Sequence, residues 1–320
     1  MTSVTLLLLM CWLPFFDCAQ VSTNVFGNRV TKGKVTEHDL NHITGGALSR
    51  VHKDLMWMVG NAKNELYAVD INTGKMIGSF PVSGAPKWDW EDLAYGPCMD
   101  DCTNNRCGAG KPVARYCIYV ADIGGHGGSG GHAKNIIYMV REPDDLGVKD
   151  GTILMVSYPL PVVDQLEFTW SERDAETLMI SPDARLFIIS KTSTGHSLMA
   201  EIPGVVPAWG SHGVNLDLEN NVRLNLSTTH HDPMGGAISP GGTEMILTCQ
   251  DDVFYYSITD GDYINAVRTQ PPQHVSSYVS HKNTEAITWD PQAKGFYLYA
   301  SGSNEHIYYY PRAANGPVVG

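Results

Sequence analysis

A short phrase recurs five times along the chain and constrains its fold more than any other feature of the sequence. The copies are GGALSR at 45–50, WEDLAYGP at 90–97, AETLMISPD at 175–183, GGAISPGG at 235–242 and EAITWDPQ at 285–292. One alignment column contains Gly46, Glu91, Glu176, Gly236 and Glu285, and the column two residues later contains Leu48, Leu93, Leu178, Ile238 and Ile287. Such self-similarity is the signature of a repeat architecture.

The spacing of the phrases predicts six units. Successive copies are separated by 45, 85, 60 and 49 residues, and the interval of 85 is close to twice the shortest one. We therefore expect one degenerate unit to lie between 120 and 160.

Each phrase is followed by a polar turn and then by paired runs rich in Tyr, Ile, Val and Phe. Examples are DLMWMVGN with ELYAVDI and RLFIISK with SLMAEIP, which are typical of antiparallel hairpins. No helical period extends over 12 residues outside the N-terminal segment. Short strands repeated in packets predict an all-β fold, a six-bladed β-propeller of four-stranded antiparallel blades, as one domain over 20–320. A strand within 26–38 is expected to close the ring with the last blade.

The first residues resemble a targeting segment. The apolar run at 4–16 is long enough for the core of a signal peptide and too short to span a bilayer. Cleavage after Ala19 fits the small residue required there, although Asp17 and the lack of Lys or Arg before the run fit less well. We expect a signal peptide over 1–19 and a secreted, extracellular protein; the alternative is a retained anchor.

The charge balance excludes one class of partner. A formal net charge of −12, with no Lys/Arg-rich run, argues against nucleic-acid binding. An acidic chain either attracts cations such as Ca²⁺ or simply stays soluble. We expect a monomer without a membrane span, whose partner is an unidentified extracellular ligand or small molecule.

Four cysteines lie close together in the segment CMDDCTNNRCGAGKPVARYC. Cys98, Cys102, Cys107 and Cys117 would staple a polar loop by disulfide bonds, with undetermined connectivity. The alternative is a zinc site, but the spacing lacks a tight C-x-x-C pair. Cys249 lies in a strand-like run and is expected to be a buried free thiol.

Taken in order, the phrases resemble those of a set of secreted, largely uncharacterised six-bladed propeller proteins. That set has a Trp-Glu-Asp-Ile-Ala phrase, an Asp-Ile-Gly-Asp-Asn phrase and an Asp-Ala-Glu-Ala phrase, and the resemblance covers about 42–310. More distantly, the chain is similar to lactonase and phytase-like propellers, in which axial acids hold Ca²⁺. The resemblance implies a fold more strongly than an activity.

Two departures from that pattern weaken any inherited metal site. Where that set has Asp-Ile-Gly-Asp-Asn, this chain has Asp122-Ile123-Gly124-Gly125-His126, so that a carboxylate and an amide are lost. The phrase GGAISPGG has Ala237 where relatives often have an acid.

The aligned acids are the strongest chemical lead. Equivalent positions of a propeller converge on its central channel, and closely spaced carboxylates repel one another unless a cation or protons neutralise them. A calcium site is therefore predicted, with candidate ligands Glu91, Asp92, Asp122, Asp174, Glu176 and Glu285. Two alternatives stay open: these acids accept backbone N–H groups of adjoining blades, or they act in catalysis without metal.

Histidines form a second, weaker cluster. His126 and His132 flank a glycine-rich loop, and His230 and His231 precede Asp232. They are candidate proton carriers beside the acids, but a solvated surface loop explains them as well. Asn225-Leu226-Ser227 is a glycosylation sequon in a polar stretch.

Two functions from different classes follow. The first is a secreted, calcium-binding propeller that acts as an extracellular binding or matrix component. The alternative is a Ca-dependent extracellular hydrolase, lactonase-like or phosphoester-cleaving, in which the metal polarises an ester or phosphoryl oxygen. The Asp and Asn that are missing from the Asp122–His126 phrase favour the first function.

Overall fold

A computed structural model describes residues 25–86, 89–99, 115–125, 135–146, 148–149, 152–153, 157–172, 174–192, 196–203, 214–226 and 232–314. The expected signal peptide over 1–19 lies outside these ranges. Among the described residues, no helix is long and apolar enough to cross a membrane.

Antiparallel strands form five four-stranded blades within this part of the chain, and the first strand belongs to the last blade. Strand β1 is Val30–Lys34. Blade 1 contains β2 (Ile43–Leu48), β3 (Leu55–Gly60), β4 (Glu65–Asp70) and β5 (Met76–Ser83). Blade 2 contains β6 (Trp90–Pro97), β7 (Tyr116–Asp122) and β8 (Asn135–Arg141). After a small hairpin of β9 (Val148–Lys149) and β10 (Thr152–Ile153), β11 (Leu160–Thr169) completes blade 2.

The remaining blades follow the same pattern. Blade 3 contains β12 (Ala175–Ile180), β13 (Leu186–Ser190), β14 (Leu198–Ile202) and β16 (Asn221–Arg223), while β15 (Val214–Asn215) pairs with β11. Blade 4 contains β17 (Gly235–Ile238), β18 (Glu244–Thr248), β19 (Val253–Ser257) and β20 (Gln273–His274). Blade 5 contains β21 (Thr284–Trp289), β22 (Gly295–Ala300) and β23 (His306–Pro311), followed in the sheet by β1.

Helical structure is sparse in the described residues. The α-helix α1 (Tyr263–Thr269) lies between β19 and β20 and is capped by Asp262, whose side chain accepts the N–H of Asn265 at 2.9 Å. Two 3-10 helices cover His38–Leu40 and Leu216–Leu218.

The inner strands of the five blades form a closed ring. Strand β2 packs against β6, β6 against β12, β12 against β17, β17 against β21, and β21 against β2. Every residue of β2, β6 and β12 is buried, because each inner strand has a neighbouring blade on either side. The six-blade count is therefore not confirmed: the described residues close the ring with five.

The segment expected to contain a sixth unit belongs to blade 2. The described residues between 120 and 160 form the end of β7, all of β8, the small β9–β10 hairpin and the start of β11, and β7, β8 and β11 belong to one sheet. Long connections within blade 2, and not an additional blade, account for the interval of 85 residues between phrases.

Apolar side chains fill each of the five gaps between neighbouring blades. Each layer takes large residues from both of its blades: Phe80 and Val120, Tyr119 and Ile188, Phe187 and Leu247, Tyr255 and Phe296, Tyr299 and Met58. Burying one such side chain contributes about 1.5–3 kcal/mol. The tyrosines of the FYY and YYY runs lie in these layers, as expected for alternate strand residues.

Three further predictions are borne out. Strand β1 pairs antiparallel with β23, so the N-terminal strand does complete the last blade. Cys98 and Cys117 form a disulfide bond, and Cys249 is a buried free thiol. Cys102 and Cys107 lie outside the described residues.

Candidate functional site at the acidic end of the ring

The three aligned glutamates occupy equivalent bulges. In β6, β12 and β21 the pairing register skips one residue near the start of the strand, and that residue is Glu91, Glu176 or Glu285. A bulge sets two residues against one and re-aims a side chain. The same element in three blades therefore presents three carboxylates at one level of the ring.

The register corrects the alignment of two phrases. In β2 the bulged residue is Thr44, which makes Thr44 and not Gly46 the equivalent of Glu91. In blade 4 the equivalent position falls on Met234, directly before β17, instead of Gly236. A slip of two residues keeps side chains on the same face of a strand, so hydrophobic pattern alone does not reveal it.

A second level of polar residues lies just before the inner strands. The carbonyl groups of His42, Asp89, Asp174 and Asn283 each accept the N–H of the residue that follows the second strand of their blade, at 2.8–3.2 Å. Asp232, two residues before Met234, has the corresponding position in blade 4. This repeated backbone bond fixes two more acids, Asp89 and Asp174, beside the glutamates.

The carboxylates are buried and interact with one another. Glu91 is 7 % exposed, and its pKa is raised to about 10 by burial, with further contributions from Glu176 and Asp89. Burial and then Glu176 raise the pKa of Glu285 to about 8, against the opposing effect of Lys191. The cluster as a whole therefore resists full ionisation at neutral pH.

Lys191 supplies the cation of this cluster. Its Nζ donates a hydrogen bond to Glu176 Oε1 in a close ion pair. Burial raises the pKa of Glu176, and Lys191 opposes that effect. Lys191 was not among the residues predicted from the sequence, although its place directly after β13, the hairpin partner of the Glu176 strand, was a usable signal.

Asp92 ties two blades together. Its carboxylate accepts the N–H of Leu93 at 2.7 Å and that of Leu178, in the adjoining blade, at 2.8 Å. Burial raises its pKa well above the usual range, while these two N–H groups oppose that effect. Asp92 thus fulfils the structural alternative that the sequence left open.

Two other predicted ligands also accept backbone N–H groups. Asp122 Oδ1 accepts the N–H of Asp89 at 2.7 Å, and Asp174 Oδ1 accepts that of Gly125 at 2.6 Å. Both bonds hold the start of an inner strand against the end of β7. Among the described residues, no backbone N–H donates to the carboxylates of the other three predicted ligands, Glu91, Glu176 and Glu285.

Gly124 and Gly125, in the divergent Asp122–His126 phrase, fit closely between the acids. A Cβ at Gly124 would lie 2.5 Å from Asp89 Oδ2 and 2.6 Å from Glu91 Oε1. A Cβ at Gly125 would lie 2.7 Å from Asp174 Cγ. In this chain Asp174 occupies the space that a side chain at 125 would need.

The donor set is chemically suited to a hard cation but is not preformed for one. Carboxylate oxygens are the ligands that Ca²⁺ prefers. Within the described ranges, however, no group of three or more His, Cys, Asp or Glu side chains is placed to hold a metal ion. In the structure the Glu176 carboxylate is engaged by Lys191.

The histidines of the second predicted cluster lie outside the described residues. This applies to His126, His132, His230 and His231, whereas Asp232 is described. Asn225 is exposed between buried Leu224 and Leu226, and Ser227 of its sequon is outside the described ranges. Use of the sequon stays a prediction.

Mostly apolar residues of the inner strands lie toward the opposite end of the channel. A narrow cavity of about 40 Å³ lies there, lined by all five inner strands, with residues such as Leu93, Leu178 and Ile287 on its wall. The acids are therefore concentrated at the end where the inner strands begin.

Comparisons with known proteins show little beyond this geometry. No family model and no curated protein matches the chain, so the resemblance drawn from its phrases stays a prediction. Solved structures with a similar backbone trace include the PQQ-bound aldose sugar dehydrogenase of Streptomyces coelicolor. Its sequence is 12 % identical, the TM-score is 0.44, and the match covers 89 % of this chain and 98 % of that one. A gluconolactonase from Xanthomonas campestris shares 12 % identity at a TM-score of 0.42, covering 85 % of this chain and 72 % of that one. Likeness at this level carries no inference about activity.

Proposed function

We propose that this protein is a secreted propeller that binds calcium at the acidic end of its ring and acts as an extracellular binding component. One observation carries the calcium proposal: among the described residues, six carboxylates interact electrostatically with one another at that end, and a single ammonium group lies with them. The carboxylates are Asp89, Glu91, Asp174, Glu176, Asp232 and Glu285, and the ammonium group is that of Lys191.

Such an excess of negative charge is offset either by protons or by a cation. Protons are held at pKa values of about 8 and about 10 on Glu285 and Glu91. A divalent cation would supply two positive charges and displace those protons. The oxygens available to it are those of Glu91 and Glu285, together with Glu176 once its bond to Lys191 opens.

Thermal unfolding in calcium and in chelator tests this proposal. Extracellular calcium modules bind with Kd values of roughly 10⁻⁴–10⁻³ M, and a ligand at ten times its Kd stabilises the folded state by about 1.4 kcal/mol. We expect calcium to raise the Tm by about 2–4 °C. Glu285→Gln should abolish this rise. Glu219→Gln, which changes an exposed acid beyond Leu216–Leu218, should preserve it.

An unchanged Tm in calcium, or an equal rise in the Glu285→Gln variant, would contradict the axial site. Magnesium in place of calcium is a useful further control, because its demand for near-octahedral geometry suits this irregular set of acids less well.

Secretion is part of the same proposal. Its support is the apolar run at 4–16 and the Cys98–Cys117 disulfide, a bond that persists in oxidising compartments. Expression of the full chain in animal cells should deliver the protein to the medium, with an N-terminus at residue 20. Retention in the cell membrane would support the anchor instead.

Binding is favoured over catalysis because Asp92, Asp122 and Asp174 use carboxylate oxygens to hold the backbone. One observation keeps a Ca-dependent hydrolase as the second candidate: Glu285 is half-buried, with a pKa of about 8, near the working range of a general acid or base. A panel of lactones, esters and phosphate esters, tested with calcium, separates the two. Turnover that Glu285→Gln abolishes would favour the hydrolase.

A further inference from the structure

A second cavity lies beyond the far ends of the inner strands, between blades 1 and 5. Its volume is about 300 Å³, at the lower end of the range for small-molecule sites, roughly 300–1,000 Å³. Its wall is formed by the turn after β2, the turn after β21, and Tyr297. The cavity is separated from the acids by the length of an inner strand, about 20 Å for six residues.

Arg50 is the principal cation of this cavity. It is half-buried, and its guanidinium lies 5.6 Å from the centre of the Tyr116 ring, which stacks on Tyr95 at 5.3 Å. In the part of the chain that the structure describes, no carboxylate pairs with Arg50. An arginine held against an aromatic face keeps its N–H groups ordered, and their fork matches a carboxylate.

The two other basic residues on the wall are less suited to this role. The His52 ring contacts the carbonyl oxygen of Pro143 at 2.7 Å. The side chain of Lys53 is 92 % exposed and lies 4.0 Å from Asp54. His52 is therefore engaged by a backbone carbonyl and Lys53 is hydrated, which leaves Arg50 as the anion-binding group.

Acceptors on the same wall restrict the ligand further. Asp54 and Asp290 line the cavity and would repel a doubly charged phosphate. Asp290 Oδ1 accepts the N–H of Gln292 at 2.8 Å, so Asp290 Oδ2 and the carboxylate of Asp54 are the oxygens that can accept hydrogen bonds from hydroxyl groups. Pro291 and the ring of Tyr297 provide an apolar wall against which the C–H face of a sugar-like ring can pack.

We propose that this cavity binds a small hydroxylated monocarboxylate, the chemical class of a sugar acid. Arg50 binds the carboxylate of the ligand, Asp54 and Asp290 accept hydrogen bonds from the hydroxyl groups of the ligand, and Tyr297 packs against the ring. The site shares no residue with the acidic end, and the inference does not depend on calcium binding.

Calorimetric titration with glucuronate, glucose and glucose 6-phosphate tests the proposal on the full chain. We expect glucuronate to bind at least about tenfold more tightly than the neutral sugar or the phosphate, because only glucuronate satisfies Arg50 without meeting the two acids as a dianion. Arg50→Ala should weaken glucuronate binding about tenfold or more. Arg223→Ala removes an exposed arginine of β16 and is the matched control, expected to bind like the parent.

Arg50→Lys keeps the positive charge but lacks the paired N–H donors of the guanidinium group. This variant replaces Arg50→Ala in the test if the alanine variant does not fold. It should bind glucuronate more weakly than the parent, with an unchanged circular dichroism spectrum. The proposal is overturned if the parent shows no saturable glucuronate binding, if glucose or glucose 6-phosphate binds as well, or if the folded Arg50 variants bind like the parent. Glu285→Gln should not alter any of these results.

Discussion

Glu91 and Asp92 are adjacent acids with different surroundings and different roles. Asp92 is held by two N–H groups, one of them from the next blade, so its carboxylate acts as a cross-blade brace. Glu91 is the bulged residue and lies among other carboxylates. The sequence identified both as acids near the axis, but only the register of β6 separates the brace from the candidate ligand.

Replacing Asp92 by alanine should destabilise the fold. The buried N–H of Leu178 would lose its acceptor, at a cost of about 1–3 kcal/mol. Asp164→Ala is the matched control: among the described residues, the Asp164 side chain accepts only the N–H of its neighbour Gln165, at 2.8 Å, on a half-buried outer strand. Urea unfolding of both variants checks this, and equal losses would argue against the brace.

A side chain at Gly125 should be poorly tolerated. The added methyl of Gly125→Ala would lie 2.7 Å from Asp174 Cγ, and such overpacking costs about 1–3 kcal/mol. At Gly241 the same change meets its nearest atom at 3.7 Å, so Gly241→Ala should change the free energy of unfolding by less than about 0.5 kcal/mol. Matching unfolding curves for the two variants would contradict this prediction, because they would show that the Asp174 side chain moves aside without a loss of folding free energy.

Glu285 should make stability depend on pH. Its pKa rises from an ordinary 4.5 to about 8 on folding, so between these values the folded chain holds a proton that the unfolded chain has released. Stability from this group is complete below about pH 4.5 and falls as the pH rises through 8. Without calcium, Glu285→Gln should flatten this decline between about pH 5 and 8 in denaturant titrations, and an unchanged slope would contradict it.

At the scale of elements, the strands were predictable from the sequence, but the register in which they pair was not. Alternating Tyr, Ile and Val between turn residues predicted hairpins such as β3–β4 and β13–β14, and both occur. The bulges at Glu91, Glu176 and Glu285 shift the pairing by one residue without changing the apolar pattern after them. Lys191 was missed for the same reason, because its neighbour across the hairpin depends on that register.

The Cys98–Cys117 bond should contribute measurably to stability. The cysteines are 19 residues apart, and closing a loop of that size stabilises the fold by about 3 kcal/mol in the chain-entropy model. The Cys98→Ala, Cys117→Ala double variant should show this loss in urea unfolding. Peptide mapping of the unreduced parent should recover these two cysteines as one linked pair. A pairing of Cys98 with Cys102 or Cys107 would contradict the connectivity.

For the whole molecule, the repeat predicted the class of fold and the closing strand. The N-terminal strand β1 pairs with β23, and inter-blade apolar layers surround the ring as a propeller requires. The blade count did not follow, because the interval between phrases measures chain length and not the number of blades. Residues between 120 and 160 extend blade 2 in the structure.

The convergence of acids on one end of the axis is also a property of the whole ring. Glu91, Glu176 and Glu285 lie in three separate blades, and only closure brings them within electrostatic reach. The phrase alignment anticipated this convergence. The alternative that backbone N–H groups occupy part of the set was left open by the sequence and applies to Asp92, Asp122 and Asp174. The ion pair of Lys191 with Glu176 was not anticipated.

Calorimetric titration of calcium into the protein at pH 7, in two buffers with different ionisation enthalpies, tests the central claim most directly. Because Glu91 and Glu285 hold protons that a cation would displace, we predict saturable calcium binding with proton release, and its loss in Glu285→Gln but not in Glu219→Gln. Absence of saturable binding, or binding that Glu285→Gln leaves unchanged, would contradict a calcium site at the acidic end of the ring.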